Sequence, residues 1–366
     1  MPKKLKIATM VSSEVPVPMP KNFPRAYATV PLAVEIANGM TRKGHKVSFF
    51  APNDSKQQNY KLIKSGHVSL YKNKKINFYK LNSGSKNKIS NFFDQHLLGL
   101  IYKANKKEKF DVIHLHGPID RASFSLAELF PETQICYTIH DPLTAGWRLF
   151  LHKTFKSKHQ HLVSISNAQR KPGKYLNWAG TVYNGMSFKG YKFNPNPKDY
   201  LFYAGRILER KGVYEAIQVA KATNHRLLIA GDHYSEKEYW ETKIKPNLSD
   251  KIKYVGFISK DELMKLYANA KASLMPIKWE EPFGLTFIES MAMGTPPISF
   301  DRGSAKEVIK HGKSGYVVKT LSEMITAVKN IDKLDRQTCR KYAEETFGVQ
   351  KMVDEYEKVY YKILKK

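Results

Sequence analysis

Residues Trp279–Ser299 read WEEPFGLTFIESMAMGTPPIS. Two carboxylates, Glu281 and Glu289, stand with seven residues between them. A Pro-Phe-Gly turn follows the first, an apolar helical run carries the second, and Gly294 and Pro296 close the run. A helix that begins near Leu285 leaves its first N–H groups, around Gly284 to Thr286, without internal partners. Such a terminus attracts phosphate. Glu281 then lies in the loop ahead of the helix, free to accept hydrogen bonds from sugar hydroxyls, and Glu289 lies about a turn inside. Taken alone, the stretch has a plainer reading: Thr286 and Glu289 spell a capping box, and Glu280–Glu281 are an exposed acidic pair.

Upstream, YAGRILERKG (Tyr203–Gly212) follows a short apolar strand. Gly205 allows backbone to approach a ligand. Arg206 offers a planar fork of donors that fits a phosphate at two oxygens. Lys211 is a point charge at the start of a helix. Gly212 loosens that turn, and the four residues together resemble a diphosphate clamp that needs no metal. The competing reading makes Arg206 and Lys211 surface cations paired with Glu209.

Around these stretches strands and helices alternate twice. LKIATMVSS, KVSFFA, FDVIHLHG, QICYTIHD, HLVSISNA and GTVYNGM are strand candidates of the first half, with Leu32, Ile36 and Met40 at helical spacing between the first two. NGMSFKGYKFNPNPKD lacks periodicity and reads as the interdomain connection. YLFYAGR, RLLIAG, IKYVGFI, ASLMPI, PPISFD and SGYVV are the strands of the second half. Apolar strands separated by helices imply parallel sheets covered on both faces. The expected fold is α/β, with two Rossmann-like lobes facing across a cleft and ligands at the carboxyl ends of the strands. Domains of 1–187 and 188–347 follow, with a C-terminal helix at about 348–366 packing back onto the first. The lysine-rich run KSGHVSLYKNKKINFYKLNSGSKNK reads as a mobile loop or hairpin.

The net charge of +28 is concentrated in the first half. Only Asp54, Asp94 and Glu108 offset the lysines between Asn53 and Phe110, and no acid occurs from Pro142 to Lys198. Such a field suits an anionic partner: a phosphate ligand, an anionic membrane face or nucleic acid. A solvated lysine coat is the plain alternative. No apolar run reaches the roughly 18–20 residues needed to span a bilayer. The two cysteines, Cys136 and Cys339, have no metal spacing. A cytoplasmic protein without disulfides or structural zinc is the expectation.

In order, GRILERKG, YVGFISKDELMKLYANA, EPFGLTFIESMAMGTPPIS and GSAKEVIKHGKSGYVV (within Tyr200–Val318) resemble the C-terminal half of the family 4 retaining glycosyltransferases, which have the GT-B fold. GHKVSFFA, DVIHLHG, YTIHD, VSISNA and VYNGM are similar more loosely to the N-terminal half. The resemblance implies that Arg206 and Lys211 hold the donor diphosphate, with Gly205 beside them. It puts Glu281 on the donor sugar and Glu289 on the ribose. Phe283, Gly284, Leu285 and Thr286 would offer backbone donors, and Phe257 and Ile258 would line the base. His140, at the end of YTIHD, would stand near the sugar, brought over it by domain closure; a loop histidine bonded to Asp141 is the alternative. His114 and His116 point the same way along a strand, and two histidines are too few for a metal site. Glu307 resembles a family glutamate near the phosphate loop, or is a helix-start acid. Where many relatives carry Gly-Gly, this chain has Tyr27-Ala28, with Arg25 as a compensating cation.

The implied reaction moves a sugar, with retention, from a nucleotide diphosphate sugar to an acceptor hydroxyl, without cofactor or metal. UDP-sugars are the commonest donors among such relatives, followed by GDP-mannose. The acceptor is a sugar, lipid or small molecule, and the basic first half favours an anionic one or one presented at the inner membrane face. The rivals are another enzyme of this fold, such as a phosphorylase or sugar-nucleotide epimerase, and a basic nucleic-acid- or membrane-binding protein without activity. No nucleic-acid-binding module is recognisable.

Overall fold

The computed structural model describes residues 3–20, 23, 27–116 and 123–365. It divides into two compact units. Unit 1 is Met1–Ile165, Arg170–Gly185 and Val349–Lys366, and unit 2 is Ser166–Gln169 and Met186–Gly348.

Unit 1 holds β1 (Lys6–Met10), β2 (Lys46–Ala51), β3 (Lys61–Lys64), β4 (Val112–Leu115), β5 (Gln134–Ile139), β6 (Gln160–Ser164) and β7 (Trp178–Thr181). All pair in parallel, in the order β3-β2-β1-β4-β5-β6-β7. Unit 2 holds β8 (Tyr200–Ala204), β9 (Arg226–Ala230), β10 (Ile252–Gly256), β11 (Ala272–Met275), β12 (Pro297–Phe300) and β13 (Tyr316–Val318), parallel and in the order β10-β9-β8-β11-β12-β13. Counted from its own first strand, each sheet runs 3-2-1-4-5-6, and the sheet of unit 1 adds a seventh strand beyond the sixth. The order reverses at β1/β4 and at β8/β11, and such switch points open a crevice for ligands beyond the strand ends. Both sheets are buried on two faces, so β4, β6, β8 and β11 are buried along nearly their whole length with no alternation.

Three sequence expectations change. The lysine-rich run forms no hairpin: after turns and a 3₁₀ turn at Phe78–Lys80, it enters a 26-residue helix, Ser83–Glu108. Asn82 caps that helix by accepting from Ser85 N, and Leu97, Leu98, Ile101 and Tyr102 bury one stripe, which outweighs the lysines on the solvated face. The last strand of unit 1 starts earlier than GTVYNGM, at Trp178. The Asn/Gly/Pro-rich connection is not a free linker. Tyr191 is buried, and Arg336 and Arg340 donate to the carbonyls of Asn194 (2.9 Å) and Tyr191 (2.8 Å), so this segment packs on unit 2. Apart from the short excursion Ser166–Gln169, the chain passes between units at Gly185/Met186 and again at Gly348/Val349.

The final helix, Val349–Leu364, belongs to unit 1. Its Val353 fills the space over Gly39, where a Cβ would fall 2.4 Å from a Val353 methyl. Its Tyr356 hydroxyl shares a 2.9 Å hydrogen bond with Thr138. Lys43 pairs with its Asp354 (2.7 Å) and Glu357 (3.0 Å).

Candidate functional site

In unit 2 the loops beyond β8 and β11 meet at the switch point. Gly212 has φ +75°, and a Cβ there would fall 1.9 Å from the Pro276 carbonyl, so only glycine lets the clamp loop close on the β11 loop. Lys278 N donates to Arg210 O at 2.9 Å across the same seam. This closure sets Lys211 Nζ 2.6 Å from Glu281 Oε2, which also accepts from Trp279 Nε1 at 2.9 Å. The Lys211 ammonium lies 4.7 Å over the Trp279 ring. The sequence suggested an open Glu281; in the structure its carboxylate is engaged by Lys211 and Trp279. Glu209, the expected partner of the cations, instead lies 3.6 Å from Lys278. Arg206 is exposed beside Gly205 and has no ion pair among the described residues.

The acidic loop is braced from β12. Glu280 accepts from Gly303 N at 2.9 Å, and Ser304 donates through its N–H to Glu281 O (3.0 Å) and through Oγ to Phe283 O (2.8 Å). A Cβ on Gly303 would fall 2.2 Å from Glu281 O. Trp279, Glu280, Gly303 and Ser304 are supports that the sequence reading missed. Their signal was the doubled acid before Pro282 and the Gly-Ser pair 22 residues later.

Helix Leu285–Ala292 begins where expected, with Gly284 at its N-cap and no capping side chain. Thr286 is inside the helix, so no Thr286–Glu289 capping box forms. The N–H groups of Leu285 and Thr286 have no partner among the described residues, and the mouth of the helix stays open to an anion. Glu289 is half-buried and makes no hydrogen bond among the described residues. Burial pushes its carboxyl above the ordinary range, eased in part by Lys260. Phe257 stands exposed after β10, with Ile258 half-buried beside it. Glu307 accepts from Asn167 N (2.7 Å) and Ala168 N (2.6 Å), holding the segment Ser166–Gln169 within unit 2.

In unit 1 a pocket of about 180 Å³ opens beyond β1, β4 and β5, lined among others by Ser12, Glu14, Tyr27, His116, His140 and Arg148. Tyr27 donates to Glu14 Oε2 at 2.7 Å, and Ala28 precedes the helix Thr29–Arg42. Arg25 lies outside the described residues. His140 Nε2 is 3.5 Å from His116 Nδ1, and Asp141 pairs with Arg148 at 3.3 Å. His114 is held by Tyr360 (2.6 Å) and Thr138 (2.8 Å). Among the described residues no group of three or more His, Cys, Asp or Glu is placed to hold a metal ion.

The family comparisons bear on both units. The model of Glycosyl transferases group 1 matches residues 188–346, and that of Glycosyltransferase Family 4 matches 31–174. The chain belongs to the family 4 glycosyltransferases. It is 22 % identical over 311 residues to the N-acetyl-alpha-D-glucosaminyl L-malate synthase of Bacillus anthracis, covering 75 % of this chain and 80 % of that one. Its fold is that of sucrose-phosphate synthase from Thermosynechococcus elongatus, at TM-score 0.74 and 16 % identity over 98 % of both chains. It is also that of Anabaena HepE solved with UDP-glucose, at TM-score 0.68 and 15 % identity over 97 % of this chain and 98 % of that one. This is the GT-B architecture.

In this glycosyltransferase Arg206, Lys211, Glu281, Glu289 and the helix mouth lie in unit 2, and His140 lies in unit 1. Desolvation sets the charge of the unit 1 histidines: His140 is pushed down to about 4, His114 to about 3, and His116 lower than its ordinary value by a wide margin. All three are neutral at pH 7. His114 and His116, both fully buried, charge on unfolding but not in the fold. The unfolded state therefore binds more protons, and stability present above about pH 6.5 is lost as the pH falls below that value. Urea titrations at neutral and acid pH are expected to show this slope, and His114→Gln is expected to flatten it. An unchanged slope would remove the histidines as its source.

Proposed function

We propose that this glycosyltransferase transfers a sugar, with retention, from a nucleoside diphosphate sugar, a UDP-sugar in the first instance, to an acceptor hydroxyl. The observation that carries the reading is the grouping in unit 2: two cations and an open helix mouth between one acid at the clamp and a second, unpartnered acid one turn into the helix. Phosphate fits the cations and free N–H groups. Hydroxyls of the donor sugar fit Glu281, ribose hydroxyls fit Glu289, and the base fits the exposed face of Phe257. HepE, of the same fold, was solved with UDP-glucose.

As the bond from the anomeric carbon to the diphosphate breaks, negative charge grows on the leaving oxygen, where Arg206, Lys211 and the N–H groups of Leu285 and Thr286 act on it. The acceptor oxygen bonds to the same face of that carbon, and its proton passes to the leaving phosphate. Unit 1 takes the acceptor, which is anionic or presented at an anionic membrane on the cytoplasmic side. A thermal-shift screen of nucleotides and their sugars tests the donor, because a ligand stabilises by RT ln(1 + [L]/Kd). UDP and a UDP-sugar are expected to give the largest shifts, and GDP or no nucleotide in that place would overturn the assignment.

In this reading Arg206, Lys211 and the helix-mouth N–H groups supply the positive field themselves. Transfer in excess chelator is therefore expected to run near the untreated rate. Loss of activity restored by manganese or magnesium would count against this reading.

A further inference from the structure

Helix Gly146–Thr154 carries its aromatics on the wrong side for a globular surface. Trp147 and Phe150, one turn apart, are 51 % and 66 % exposed, whereas His152 faces inward and is buried. Phe155 and Tyr175 extend the exposed apolar face. The two stretches are contiguous: Lys156 donates to Tyr175 O at 3.3 Å, and a Cβ on Gly173 would fall 2.9 Å from Leu149. Lys153, Lys156, Lys158, Lys171 and Lys174 are exposed around the aromatics, in a segment without any acid. Among the described residues no helix is long and apolar enough to cross a membrane, and this nine-residue helix could only lie along one.

We propose that this face docks on an anionic lipid membrane, with Trp147 and Phe150 at the headgroup boundary and the lysines on lipid phosphates. Interfacial tryptophan and tyrosine, each with an apolar body and a polar edge, suit that depth. A second copy of the chain does not fit, because a two-fold contact would set lysines against lysines. The other face of the same helix supplies Arg148, Leu151 and His152 to the pocket of unit 1. Docking therefore presents that pocket beside the bilayer, and the acceptor it takes is the headgroup of a lipid. Membrane docking stands by itself; the link to the acceptor rests on the transferase reading.

The test uses the full chain with vesicles of phosphatidylcholine, alone or mixed with phosphatidylglycerol. Co-sedimentation with the mixed vesicles only is expected, together with a blue shift of tryptophan emission that Trp147→Phe abolishes. Two of the other tryptophans, Trp178 and Trp240, are buried already. Phe150→Ser, and Lys153→Gln with Lys156→Gln, should each weaken binding, the lysine pair by roughly 30-fold. Their thermal stability and UDP binding should match the parent, which separates lost docking from lost folding. Equal binding to both vesicle types, no binding, or variants that bind like the parent would overturn the proposal. So would capture of RNA in place of vesicles. Slow hydrolysis of UDP-sugar in water reads the transferase assignment alone, so either idea can fail while the other stands.

Discussion

Alanine at Arg206 or at Lys211 is expected to lower kcat by about 10²-fold or more, the scale of one lost group that stabilises developing charge. The two should differ in everything else. Arg206 is exposed and has no ion pair among the described residues, so its loss leaves the fold and its melting temperature as they were. Lys211 holds Glu281 at 2.6 Å in partly buried surroundings, with side chains 20 % and 13 % exposed. Its removal leaves Glu281 with Trp279 as its remaining donor at Oε2, and an acid losing its cation in such a place destabilises the loop. Lys211→Ala should therefore also lower the melting temperature. Lys211→Ala and Glu281→Gln should combine less than additively, because each removes the same contact. The measurements are kcat at saturating donor and thermal unfolding of the single and double variants. Turnover equal to the parent in both alanine variants would end the clamp assignment.

The second large effect separates the two acids. Glu281→Gln is expected to impair turnover while bare UDP binds nearly as before. Glu289→Gln should weaken UDP itself by about 1–3 kcal/mol, the value of a hydrogen bond to a charged group. The same substitution should stabilise the empty protein. Burial raises the Glu289 carboxyl above its ordinary range, so the folded state favours the neutral form and carries a cost when the group is charged at pH 7. Glutamine removes that cost. The gain in melting temperature should be present at pH 7 and vanish below about pH 4, where the carboxyl is neutral in either state. Calorimetry with UDP and melting curves at both pH values check the two halves. Equal loss of UDP in both variants would overturn the division of labour.

The strands of unit 2 were legible because each is a short apolar run ended by a turn signal, and helix Leu285–Ala292 because Gly284 and Gly294 bracket it. The order of the strands was not legible. It depends on pairings such as Ala272 with Leu201, about 70 residues apart, that no local pattern encodes. The same distance hid the Lys211–Glu281 contact, and the brace from Gly303 and Ser304 crosses a helix and a strand. Strand β3 was missed because KLIK is short and half exposed, and helix Ser83–Glu108 because lysine, asparagine and serine dilute its period. The outward Trp147 and Phe150 were invisible in composition, since the sequence shows that a helix is amphipathic but not which side its neighbours cover.

Unit 2 is one unbroken run of chain from Met186 to Gly348, apart from the short segment Ser166–Gln169, whereas unit 1 needs residues from both ends. Its sheet is complete by Thr181, yet the space over Gly39 stays open and His114 lacks Tyr360 until residues 349–364 arrive. Unit 1 is therefore a domain closed by a chain loop: its first 185 residues reach their final packing only when a segment from the far side of residues 186–348 returns to them. The ordering of unit 1 carries the entropy of closing that long loop, whereas unit 2 closes almost wholly on itself. On refolding, the protection of unit 1 should lag behind that of unit 2.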